Sequence, residues 1–186
     1  MNVKQLELDG LWRIDVPDLI DDRGGLAKPF DEQSFRAAGL PVWNWKQIIH
    51  SRTAHKGTVR GIYVQSAPFT EGKLVTCLQG RMFWAVVDLR RDSATFGRWY
   101  GLELEGGSGI SLLIAPGFGH GCMSLSDDVE LLLLADNDHS ADHSIGIRWD
   151  DPDIAIEWPL DGQQKISSAH GTYPSFKEFV DHHVGV

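Results

Sequence analysis

The stretch KLVTCLQGRMFWAVVDLRRD, residues 73–92, decides the fold class. Residues 73–78 form a short apolar run that Gln79 and Gly80 close. Residues 83–89 form a second run, closed by Arg90, Arg91 and Asp92. Short apolar runs punctuated by turn residues read as strands. Working outward, the pattern recurs at 99–104, 110–115 and 129–135. These runs end at Glu105-Gly106-Gly107, Pro116-Gly117 and Asp136-Asn137-Asp138. Upstream, VRGIYVQ (59–65) alternates. As a regular strand it puts Arg60, Ile62 and Val64 on one face, and Val59, Gly61, Tyr63 and Gln65 on the other. The spacing predicts an all-β antiparallel sandwich or barrel, most simply one jelly-roll domain over residues 1–186. Helix is confined to 31–38, which starts acidic and stops at Gly39, and to 175–183 after Pro174.

The chain has 186 residues, enough for one domain with its own core. Apolar residues make up 42% and charged residues 23%, the balance of an ordinary globular protein. No apolar run reaches the roughly 18–20 residues of a membrane helix. The N-terminus MNVKQLELDG lacks the apolar segment of a signal peptide, so the expected location is cytoplasmic. Cys77 and Cys122 lie in apolar runs and read as reduced core residues. The formal net charge is −9 and no Lys/Arg cluster occurs, which argues against nucleic acid as a partner. A small anionic ligand stays compatible, because a few local arginines outweigh a diffuse field at contact distance.

The sharpest local signal is IAPGFGHGC (114–122). Its glycines let the backbone bend and approach a ligand, and His120 among them suits a general acid, base or donor. The competing reading is a structural histidine beside a turn. Arg23 in DDRGG, Arg60 and Lys73 are candidate anion contacts, since guanidinium forks suit phosphate and an ammonium suits a single developing charge. DDRGG lacks the Gly-Lys-Ser/Thr ending of a P-loop. No G-x-S-x-G elbow occurs. A metal site built from His50, His55 and His120 is a weaker alternative, because no close His-x-His pair precedes a glutamate. His182 and His183 are expected to face solvent. The seven tryptophans read mainly as core or interface.

Taken together, the motifs resemble the dTDP-4-keto-6-deoxyhexose 3,5-epimerases, a cupin-type jelly-roll family. The resemblance rests on DDRG (21–24), HSRTAHKGTVRG (50–61), GKLV (72–75), VDLRRDSATFGRW (87–99), APGFGHG (115–121) and WDDPDIAIEWP (149–159). It implies a homodimer acting on a nucleotide-diphosphate sugar without a cofactor. A base removes a proton beside the 4-keto group, an enolate forms, and an acid returns a proton from the opposite face. By the resemblance, Lys73 stabilises the enolate oxygen. His120 lies near the sugar, and Arg23, Gln47 and Arg60 contact the nucleotide or diphosphate.

The chain departs from the family at the proton-transfer positions. Tyr63 stands where the family's base histidine stands, and His170 replaces that histidine's acidic partner. The family's tyrosine falls at Leu133, with His139 a nearby ring position. Leu26 and Lys28 replace residues that touch the nucleotide base. Two arrangements would restore chemistry: His170 as base with Tyr63 as its partner or as the acid, or a Tyr63 whose pKa Lys73 lowers. The expected function is an isomerase that epimerises a carbon or shifts a ketone. The alternatives are a nucleotide-sugar-binding homologue with altered catalysis and, more weakly, a metal cupin.

Overall fold

A computed structural model describes residues 1–159 and 164–182. Along the chain run β1 (Asn2–Gln5), β2 (Leu11–Asp15), β3 (Leu19–Asp21), β4 (Gly24–Leu26), α1 (Glu32–Ala37), β5 (Gln47–Thr53) and β6 (Thr58–Gln65). Then come β7 (Lys73–Gln79), β8 (Arg81–Asp88), β9 (Trp99–Glu105), β10 (Ile110–Ile114), β11 (Phe118–Ser124) and β12 (Val129–Ala135). The last are β13 (Ser144–Gly146), β14 (Lys165–Ile166), α2 (Ser168–Gly171) and α3 (Phe176–His182). One sheet has the order β1-β2-β10-β7-β12-β5 and the other β13-β6-β11-β8-β9, with β14 parallel to β6. The strands β3 and β4 form a separate hairpin. This is the antiparallel jelly-roll architecture that the apolar runs predicted.

The two large sheets carry apolar residues on both faces, which is why their central strands read as nearly continuous hydrophobic runs. On β8, Met82, Trp84 and Val86 point between the sheets, beside Val75, Cys77, Leu112 and Leu131. Val87 points outward, and with Leu89 meets Ile62, Ile154 and Phe179 of α3. The outer face of the first sheet is covered by α1, whose Phe35 packs on Ile14, Leu74, Leu113 and Leu134. Both cysteines are free and buried, and burial pushes their thiols up, Cys77 to about 11 and Cys122 to about 12.

Local chemistry sets the ends of the elements. Asp31 caps α1 by accepting the Ser34 N–H at 2.9 Å, and the chain leaves through Gly39 at φ +73°. Ser175 and Glu178 form a reciprocal capping box at the start of α3. Its expected last residue, His183, lies outside the described residues, and His182 is exposed. Between β7 and β8, Gly80 turns the chain at φ +74°.

One sequence expectation fails in an instructive way. VRGIYVQ is a strand, but its alternation is broken. Tyr63 pairs with His120 and Arg60 with Cys122, so β6 spends one more residue than β11 between the same two rungs. The extra residue is a β-bulge at Gly61, with φ +100°. The bulge resets the alternation, so Arg60 and Tyr63 reach the same cavity instead of opposite faces. A Cβ at Gly61 would lie 2.5 Å from the His120 carbonyl oxygen.

Candidate active site between the sheets

A cavity of about 210 Å³ opens between the sheets. The second sheet supplies Arg60 and Tyr63 from β6, Trp84 from β8, and His120 and Cys122 from β11. The first sheet supplies Lys73 from β7 and an apolar wall of Ile49, Leu131 and Leu133. His170 enters from α2. The structure therefore gathers Arg60, Tyr63, Lys73, His120 and His170 from four separated segments of the chain.

Lys73 is the best buried cation of the cavity, its side chain 8% exposed. Its ammonium donates to His120 Nε2 at 3.1 Å and sits 2.7 Å from Glu71 Oε1. It also lies over the Tyr63 ring, 5.0 Å from the centroid. His120 is gripped at both nitrogens, since the Phe118 backbone engages the other one. Burial and the Lys73 charge hold its pKa well below the ordinary imidazole value. A neutral ring with both nitrogens engaged positions Lys73 and is not free to exchange protons. Trp84 stacks on it at 5.7 Å.

Tyr63 is half-buried. Burial, then the nearby Glu71 carboxylate, raises its phenol pKa, outweighing a hydrogen bond from Ser144 that works the other way. The expectation that Lys73 lowers this pKa is therefore corrected. The ammonium faces the ring, not the oxygen, and Glu71 offsets its charge. The Tyr63 hydroxyl instead bonds His139 Nδ1 at 3.3 Å. His170 does not complete a dyad with it. Its Nδ1 accepts the Gly61 N–H at 3.2 Å and its ring stacks on Tyr173. Burial first, then the Arg60 charge, lowers its pKa. With Nδ1 occupied as an acceptor, the neutral ring presents Nε2–H, a donor and not a base.

The remaining candidates fall elsewhere in this chain. Arg23 is exposed in the β3–β4 turn, ion-paired with Asp21, and Lys28 is exposed beyond that hairpin. Gln47 donates to the Asn137 carbonyl at 2.6 Å. His139 is exposed at the cavity's edge. None of these four lines the cavity. The three-histidine metal reading is also corrected: His50 pairs with Glu130 at 2.8 Å while His120 holds Lys73. No cluster of three or more His, Cys, Asp or Glu suited to a metal occurs among the described residues.

Sequence reasoning missed Glu71, Trp84 and Ser144. Glu71 precedes the start of β7, so no strand period places it, and only its 2.7 Å approach to the Lys73 ammonium reveals it. Trp84 and Ser144 left no trace, since only the packing of β8 and β13 against β11 and β6 brings them in.

The sequence profile of the dTDP-4-dehydrorhamnose 3,5-epimerases matches residues 5–178. The chain belongs to this family. The dTDP-4-dehydrorhamnose 3,5-epimerase of Sinorhizobium fredii is 38% identical over 158 residues, covering 85% of this chain and 80% of the relative. The Legionella pneumophila 3,5-epimerase, solved with dTDP-4-keto-L-rhamnose, superposes with a TM-score of 0.89 at 30% identity, covering 95% of this chain and 93% of that one. A 3'-monoepimerase from Streptomyces bikiniensis, solved with dTDP-quinovose, superposes with a TM-score of 0.88 at 27% identity, covering 95% and 88%. The epimerase family is thus an enzyme family whose fold hosts both double and single epimerisation, and this member carries Tyr63, Leu133 and His170 in its cavity.

Proposed function

We propose that the chain is an isomerase of a dTDP-linked 4-keto-6-deoxy sugar, working by proton removal beside the ketone. The observation that carries the reading is Lys73, buried with Glu71 and His120 against the Tyr63 ring. A fixed ammonium in a water-poor cleft is suited to an enolate oxygen, because it needs no reorganisation as the charge develops. Arg60 supports the other half of the ligand. The Arg52 carbonyl holds its guanidinium at 3.1 Å, and no carboxylate pairs with it among the described residues. It is free to meet a diphosphate. At about 210 Å³ the cavity is smaller than the ~300–1,000 Å³ of most ligand sites, which suits the sugar inside and the nucleotide along the mouth.

The active species in this reading is a cytoplasmic homodimer. Arg23 and Lys28 lie outside the chain's own cavity, so a nucleotide role for them requires a second copy to bring the hairpin over the mouth. Epimerisation at one carbon or two, or a ketone shift, is open to the same enolate. Incubation with a dTDP-4-keto-6-deoxy sugar in heavy water tests the proposal. Deuterium is expected at C3, C5 or both.

A second reading has its own support. Leu133, the position to which the resemblance assigns the family's tyrosine, lines the cavity as an apolar residue, and both His170 and His120 have their acceptor nitrogens occupied. This favours a protein that binds the nucleotide sugar and no longer exchanges its protons. Tight dTDP-sugar binding with no deuterium uptake would establish it in place of the isomerase.

A further inference from the structure

We infer that Tyr63 and His139 form a proton relay between the cavity and bulk water, with Tyr63 as the group that touches the substrate and His139 as its positioning partner. The inference rests on the isomerase reading and adds the route of the proton. Three observations carry it. Tyr63 lines the cavity, and its hydroxyl reaches His139 Nδ1 at 3.3 Å. His139 is exposed, so the relay ends in solvent. The two imidazoles that line the cavity are engaged at the nitrogens a base would use: Lys73 donates to His120, and the Gly61 N–H donates to His170. Among the described residues this leaves the Tyr63 hydroxyl as the cavity's proton carrier with an imidazole behind it.

A neutral phenol is a poor base by itself, and an anionic one is disfavoured beside Glu71. The relay avoids the anion. As the C–H bond beside the ketone breaks, its proton forms a new bond to Tyr63 Oη. The original Oη–H bond breaks in the same movement, and that proton passes to His139 Nδ1. The electron pair of the C–H bond moves into the enolate, whose oxygen faces the Lys73 ammonium. His139 becomes an imidazolium and releases a proton from Nε2 to water. Run backwards, the same steps return a solvent proton to carbon through Tyr63. The Ser144 hydroxyl, hydrogen-bonded to the phenol, steadies Oη while both of its O–H bonds are partial. The arrangement is a histidine acting through a hydroxyl, the logic of an activated nucleophile applied to a carbon acid.

Tyr63→Phe and His139→Ala test the relay, each measured in three ways. For deuterium uptake from heavy water, both variants are expected to lose ~10²–10⁴-fold, the span of general acid–base catalysis. In the same samples dTDP binding by calorimetry is expected to stay within a few-fold of wild type, which separates lost proton transfer from lost folding. Added imidazole is expected to restore uptake to His139→Ala, whose vacated site is open to solvent, and not to Tyr63→Phe. Nitrogen-15 NMR is expected to show His139 as the Nε2–H tautomer in wild type and as a mixture in Tyr63→Phe. Full uptake in His139→Ala, or a tautomer ratio that ignores Tyr63, overturns the relay. If wild type binds dTDP but takes up no deuterium, the isomerase reading fails by itself, and the NMR arm still decides whether the two residues are coupled.

Discussion

Lys73 shows how one side chain acquires a role from its neighbours. Alone on a strand it is a solvated charge. Between Glu71 and His120 it is a fixed ammonium whose charge is partly compensated. Lys73→Met is expected to lower deuterium uptake ~10²–10³-fold, as the loss of one electrostatic stabiliser does. It also strands the Glu71 carboxylate, at a cost of ~3–5 kcal/mol for breaking a buried pair. The double variant Glu71→Gln/Lys73→Met is expected to regain most of the stability and none of the activity. Thermal melts and uptake assays on the single and double variants separate the two effects. His120 carries a pH prediction. Its folded-state pKa lies below the free-imidazole value near ~6.5, so the unfolded chain takes up the proton first as pH falls. The stability it contributes is present above ~6.5 and is lost as pH falls from there towards the depressed native value. In His120→Gln, urea unfolding is expected to depend less steeply on pH in that window. Some slope remains, because His170 is shifted in the same direction.

At the scale of elements, β6 decides whether there is a site at all. Its bulge turns Arg60 and Tyr63 onto one wall, and Gly61 makes the bulge with a positive φ and no room for a Cβ. Gly61→Ala is expected to cost ~2–3 kcal/mol, combining a left-handed backbone with a clash against the His120 carbonyl. Circular-dichroism melts measure the loss. A cost under about 0.5 kcal/mol would show that β6 and β11 can separate at this point, and would undo the account of the bulge. The neighbouring α2 illustrates the limit of pattern reading. Its four residues have no amphipathic period to detect, yet they deliver His170 to the Gly61 N–H.

At the scale of the whole molecule, the apolar residues left exposed bear on assembly. Leu19 is 67% exposed, Ile20 77% and Leu26 57%, all on the β3–β4 hairpin, and Ile48 is 75% exposed on the edge strand β5. In the proposed homodimer these side chains are covered. Light scattering of the wild type is expected to give twice the 20.7 kDa chain mass. The Ile20→Asp/Ile48→Glu variant is expected to shift towards the single-chain mass without a loss of strand signal. A wild type that runs as a monomer at all concentrations rules out the dimer and, with it, the nucleotide role of Arg23.

The sequence by itself determined the all-β architecture, the strand runs at 73–78, 83–89, 99–104, 110–115 and 129–135, whose ends the structure moves by up to two residues, and the helix behind Asp31. These follow from local rules: apolar runs, turn residues and a cap each act within a few residues. It also held the family resemblance and the substitutions at Tyr63, Leu133 and His170. The tertiary structure alone decided which groups meet. The bulge set the facing of Tyr63, a backbone N–H claimed His170, and the phenol found His139, 76 residues away. Partners so distant in sequence leave no periodic trace, because burial and hydrogen bonding choose them only once the two sheets have closed.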